Sequence, residues 1–99
     1  MRNVELNNLP VNYNDLDWYQ RKIVREKYIE KQNKKCSHCG ESLYKNPCSS
    51  VRCLKIDINL FPKNFFKSFI HLHHNHTTGM TIGAVHCYCN AVLWQHHNE

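Results

Sequence analysis

Six cysteines and eight histidines in a chain of 99 residues constrain the fold more than any other feature. A chain this short buries a limited share of its surface and commonly needs a bound metal or disulfides to hold together. Three features favour metal. The cysteines fall into close pairs (Cys36 with Cys39, Cys48 with Cys53, Cys87 with Cys89) rather than a spread framework. Histidines, which have no role in a disulfide scaffold, sit among them. The opening stretch MRNVELNNLPVNYNDLDW lacks the apolar core of a secretory signal, so a reducing compartment, the cytoplasm, is the expectation. No apolar run approaches the length of a membrane span, and a soluble protein is expected.

Cys36-x-x-Cys39 followed by Gly40 reads as half of a zinc knuckle. Downstream, His86-Cys87-Tyr88-Cys89 offers either His86 with Cys89 at x-x spacing or Cys87 with Cys89 at tighter spacing. The x-x spacing lets two ligands grip one tetrahedral Zn²⁺ from a tight turn. The expected structural zinc set is therefore Cys36, Cys39, His86 and Cys89, with no place left for water. Cys48, Cys53 and Cys87 read either as a second metal site with a nearby histidine or, the favoured reading, as ordinary thiols in a loop.

Residues 18 to 35 carry seven of the thirteen Lys/Arg and two of the eight Asp/Glu, so this segment holds the whole formal excess of +5. A compact basic stripe beside a metal module points to a polyanion, most simply DNA, or else to a solvated helix face. Residues 1 to 13 read as an arm. A helix is expected from about Asp15 to Gln32, with Asn14 as cap and Asp15 and Asp17 in its first turn. Its apolar residues (Trp18, Tyr19, Ile23, Val24, Tyr28, Ile29) come in pairs five apart and form no single stripe. Such a helix needs a neighbour, either the zinc module or a second copy of the chain. LKIDINL alternates apolar with polar and predicts a strand, Leu54 to Leu60, broken by Pro62. An extended run in FFKSFIHLHH, a turn at TTGM, a β-prone TIGAVH and a terminal helix in NAVLWQHH complete the reading, with Val92 and Trp94 read as core in preference to DNA contacts. His71 either reaches a substrate or packs, His38 faces solvent, and His96 and His97 are exposed.

The stretch LHHNHTTGMTIGAVHCYCN resembles the HNH nuclease superfamily, most closely its recombination endonuclease VII branch. That branch reads approximately Asp-His-Asp-His, Thr-Gly, Arg-Gly-Leu-Leu-Cys, two residues, Cys-Asn. The positions in register are His73, His74, Asn75, His76, Thr78 and Gly79, then Ile82, Gly83, Ala84, Val85, His86, Cys89 and Asn90, with Cys36 and Cys39 as the upstream zinc pair. The family's first Asp is His73 here, its Arg is Ile82, and one zinc cysteine is His86.

The resemblance implies an α+β fold. A zinc-stabilised ββα-metal (HNH) module over residues 36–99 would follow an arm and basic helix over residues 1–35. It implies a metal-dependent DNA endonuclease, of phage or mobile-element origin, leaving a 5′-phosphate and a 3′-hydroxyl. His74 would be the general base, His73 and Asn90 the ligands of the catalytic ion, and His76 a supporting or phosphate-contacting residue. Arg21, Lys22, Arg25, Lys34 and Lys35 would hold the DNA backbone, and the same helix is a candidate homodimer contact. Between Asp57 and Glu99 there is neither Asp nor Glu, so a metal site in this segment must use imidazole and amide ligands. With His73 replacing an acid, the catalytic ion would shift from Mg²⁺ towards Mn²⁺ or another transition metal. Two other readings use the same residues. One is a zinc module that binds DNA without cutting it; the other is a small interaction protein with residues 14 to 35 as a docking helix.

Overall fold

A two-stranded antiparallel hairpin organises the chain in the computed structural model, which describes residues 8 to 97. Strand β1 is Ile70–His74 and strand β2 is Thr81–His86. Two residues shape the turn between them. Asn75 accepts the backbone N–H groups of Thr77 and Thr78 on its side chain, at 2.8 and 2.9 Å. Gly79 takes φ +80°, a conformation that L side chains rarely adopt. Register runs from Ile70↔His86 to His73↔Gly83, then slips so that His74 lies opposite Thr81. Ile82 is the extra residue of this bulge and is exposed.

Helix α1 spans Trp18–Lys31, starting later than the sequence suggests. Its cap is Asp17, not Asn14. Asp17 accepts the Gln20 N–H at 2.8 Å, and the Gln20 side chain returns the bond to the Asp17 N–H at 3.0 Å, a complete capping box. Asn14 and Asp15 lie instead in a 3-10 turn, Tyr13–Asp15. The reason is tertiary: the Tyr13 N–H donates to the Gly79 carbonyl at 2.7 Å, while Val11 and Thr81 exchange hydrogen bonds. Residues 11 to 13 are thus tied to the hairpin, and the helix can begin only after the chain turns away.

The apolar pairs of α1 divide between two faces. Val24 and Tyr28, four apart, are buried, and the Tyr28 hydroxyl meets Thr81 Oγ1 at 2.9 Å. Trp18 and Tyr19 stay exposed. The neighbour that α1 requires is the hairpin of the same chain. One apolar cluster joins Val11, Leu16, Val24 and Tyr28 to Leu43, Val51, Leu72, Val85 and Val92, so residues before and after position 35 share a core.

Past α1 come a short helix α2, Ser49–Arg52, and the terminal helix α3, Cys87–His97, which continues directly from β2. The result is a small α+β fold. The expected strand Leu54–Leu60 does not form. That stretch is irregular and ends in a 3-10 turn, Ile58–Leu60, capped by Asp57. No sheet edge lies beside it, and its polar groups bond to α3 side chains instead: Gln95 takes the Asp57 N–H at 2.9 Å, and Gln95 and His96 reach the Lys55 carbonyl. Ile58 and Leu60 remain exposed, so the alternation marks no buried face. Among the described residues, no helix is long and apolar enough to cross a membrane.

Candidate metal centre and adjoining cleft

Four residues from two distant segments converge behind the hairpin. Cys36 and Cys39 come from the knuckle after α1, where the Gly40 N–H closes on the Cys36 carbonyl at 3.0 Å. His86 ends β2, and Cys89 stands in the first turn of α3. Their ligand atoms all lie within 4.8 Å of one another. His86 Nδ1 is 3.5 Å from Cys39 Sγ and 3.6 Å from Cys89 Sγ. A tetrahedral ion with Zn–S near 2.3 Å and Zn–N near 2.05 Å requires S···N separations of about 3.6 Å. The group therefore has the geometry to hold a metal such as zinc, as the spacing of these residues suggests.

The surroundings fix the imidazole for that task. His86 is fully buried, and its Nε2 lies 2.8 Å from the carbonyls of both Ser42 and Lys45. Facing two acceptors, Nε2 must carry the proton, which leaves the Nδ1 lone pair pointing at the sulfurs. The thiols share a single acidic position. A hydrogen bond from Cys89, aided by backbone N–H groups of Cys39, His86 and His38, holds Cys36 down to about 4 against the effect of burial. That same bond, together with burial, pushes Cys89 far up, and burial raises Cys39. Crowded sulfurs cannot all ionise without a cation between them.

Cys48, Cys53 and Cys87 are outside this group. Cys53 is an exposed thiol. Cys87, expected in a loop, is instead buried as the first residue of α3. Cys48 is half-buried, and its backbone N–H donates to Cys39.

On the other side of β1 lies an open cleft of about 740 Å³. His74 from the end of β1, His76 from the turn after it, Asn90 from α3, and Arg21 and Arg25 from α1 all line it. His74 stacks on Tyr13, with ring centroids 3.8 Å apart and planes 4° from parallel. The Arg21 guanidinium lies 3.8 Å over the opposite side of this assembly, on the Tyr13 ring, and also bonds the Tyr13 carbonyl. Burial, then the electrostatic influence of His76, lowers the His74 pKa, with smaller contributions from His73 and the Arg21 guanidinium, while a bond to the Leu72 backbone works against them. That bond fixes one ring N–H and leaves the other nitrogen as an acceptor.

His71 is held at both ring nitrogens. Its Nδ1 accepts Asn90 Nδ2–H at 3.1 Å, and backbone acceptors at Phe65 and Ser68 take the other side. Burial is the main cause of its lowered pKa. The Asn90 amide is thereby oriented, with Oδ1 as its remaining acceptor. His73, matched by the resemblance to a ligand beside Asn90, is buried at 4 % exposure and is not part of the cleft wall. Its neighbour His74 faces the cleft, and so do His71 and Leu72, so strict alternation along β1 does not sort the cleft side.

Of the expected DNA contacts, Arg21 and Arg25 line the cleft. Lys22 is exposed on α1, and Lys34 and Lys35 are exposed in the turn after it, Lys34 at φ +63°. His38, His96 and His97 are exposed as expected. Val92 is core, but Trp94, expected there too, is 42 % exposed and lines the cleft with Phe61 and Phe65. Tyr13 gave no signal in the sequence, since nothing local says that the arm folds back onto the hairpin turn. The aromatic wall left one: all four phenylalanines fall between positions 61 and 69 without a strand or helix period. No family model, no curated protein and no solved structure matches the chain.

Proposed function

We propose that this chain is a zinc-stabilised, divalent-metal-dependent DNA endonuclease of the HNH type. The observation that carries this reading is the meeting in one cleft of His74, Asn90, Arg21 and Arg25, delivered by β1, α3 and α1. Cys36, Cys39, His86 and Cys89 would hold the structural zinc and so fix the junction of β2 with α3, from which Asn90 projects. His74 is the general base. It is neutral at neutral pH, held flat by Tyr13, and presents one lone pair to a water. Asn90 would hold the catalytic ion through the oxygen that its bond to His71 leaves available, and His73, the second ligand that the resemblance implies, would have to reach it from its buried position behind the cleft wall. When bound, that ion supplies positive charge to the scissile phosphate and its leaving oxygen. Arg21 and Arg25 bind the flanking phosphates, and His76, with its ring 4.9 Å from that of His74, stands where it can contact the same group.

A second reading, a zinc module that binds DNA without cutting it, is favoured by one observation: His73 is buried away from the cleft wall. Supercoiled plasmid separates the two. Incubation with Mg²⁺, Mn²⁺ or EDTA, beside His74→Ala protein that retains its zinc, is expected to show metal-dependent nicking by the wild type alone. Binding without nicking, by zinc-loaded wild type in both metals, would support the second reading.

A further inference from the structure

Half of the cleft has no part in the hydrolytic chemistry proposed above. Phe61 and Phe65 pack at 4.6 Å between ring centroids, Trp94 stands edge-on to Phe61 at 5.4 Å, and Phe65 meets His71 at 4.7 Å. None of these rings belongs to the buried core, and Trp94 is 42 % exposed. The wall therefore begins against His71, the partner of Asn90, and runs outward into solvent. Across the cleft stand Arg25 and the 77 % exposed Trp18, both on α1.

An aromatic wall on one side and guanidinium groups on the other match the two halves of a nucleotide. A base offers a flat apolar face, and its phosphate offers charge. In a duplex, however, both faces of every base are covered by neighbours, and only an unpaired base can lie against a protein ring. Such stacking is sequence-tolerant, because every base has a π-face.

We infer that Phe61, Phe65 and Trp94 form a stacking site for an unpaired DNA base next to the bound phosphate, so that the preferred substrate carries an unpaired nucleotide at the cleft. This rests on the DNA reading above and adds to it the class of DNA. The same protein should bind a duplex of equal length through its arginines alone, and more weakly.

Binding in EDTA tests this without relying on cleavage. The probes are two oligonucleotides of the same length carrying 2-aminopurine, in one case in a single-stranded flap and in the other within a duplex. The zinc-loaded full chain should bind the flap at least roughly tenfold more tightly and quench its fluorescence on binding. Trp94→Ala should remove most of that preference and leave duplex binding unchanged, while Trp94→Phe should keep it. Phe61→Leu, which keeps apolar bulk, gives an independent variant if Trp94→Ala does not fold. Equal affinity for the two probes overturns the inference, as does a Trp94→Ala variant that weakens both alike. Flap preference in a protein that never cuts DNA would sustain this inference and defeat the nuclease. Duplex nicking without any flap preference would do the reverse.

Discussion

His74 owes its chemistry to a residue that the sequence places nowhere near it. Tyr13 covers one face of the imidazole and carries Arg21 on its own ring, so desolvation and a nearby cation together lower the His74 pKa. Replacing Tyr13 with Leu should return the ring to water and raise that pKa. Since a general base acts in its neutral form, the acidic limb of the kcat/KM–pH profile should move to higher pH, with the alkaline side unchanged. A loss of rate at all pH values, with no movement of the limb, would mean that Tyr13 serves packing only. The sign for stability is related. His71 and His74 both lie below the ordinary imidazole value of 6.5, so the unfolded chain binds protons that the fold rejects. Their contribution is complete above 6.5 and is lost as pH falls through the interval down to their folded values. The donor set of the proposed catalytic site, imidazole and amide without carboxylate, should also favour Mn²⁺ over Mg²⁺. Nicking much faster in Mg²⁺ than in Mn²⁺ would contradict it. The four residues that could hold a metal were legible from spacing alone, because x-x pairs are local. The roles of Tyr13 and His71 were not, because they come from contacts made across the fold.

Between elements, the join of α1, knuckle and β2 depends on a side chain acting as backbone. Gln32, just past the end of α1, accepts the Ala84 N–H and donates to the Ala84 carbonyl, both at 2.9 Å, as a neighbouring strand would. Gly83 makes room for it: a Cβ there would stand 2.8 Å from Gln32 Oε1 and 2.9 Å from Ser37 Oγ. Gly83→Ala should therefore push Gln32 off Ala84 and cost about 1–2 kcal/mol in denaturant unfolding, and Gln32→Ala a similar amount. Because both break the same pair of bonds, the double variant should lose clearly less than the sum. Full additivity would place the cost of the glycine change elsewhere. This join also shows why element reading fell short at LKIDINL. The alternation there is as good as in β1, but a strand needs an edge, and the hairpin's neighbours are Gln32 and the knuckle on one side and helix α3 beneath. Likewise the start of α1 was set by residues 11 to 13 bonding to the hairpin, and Asp17 with Gln20 three residues on was the local capping signal that marked it.

Across the whole molecule, one centre ties residues 36–39 to residues 86–89 and so closes a loop containing half of the chain. His86→Ala would remove a ligand and leave the Ser42 and Lys45 carbonyls without its N–H. It should abolish stoichiometric zinc and cooperative thermal unfolding together, since structural zinc contributes on the order of 10 kcal/mol to small metal-dependent folds. On that frame the cations occupy two places. Arg21 and Arg25, with Trp18, face the cleft at helical spacing, while Lys34 and Lys35 lie beyond the helix end. Arg21 also steadies Tyr13, so Arg25 is the cleaner probe of charge alone. If these groups bind phosphates, each releases counterions, and log Kd should depend linearly on log salt concentration. Arg25→Ala should lower that slope by about 0.9, and Lys34→Ala with Lys35→Ala by up to about 1.8 if the duplex follows α1 past its end. A lowered slope in the first variant and none in the second would confine the DNA to the cleft. An unchanged slope in both would show that the basic stripe, although it holds the whole formal excess charge, is only a solvated face.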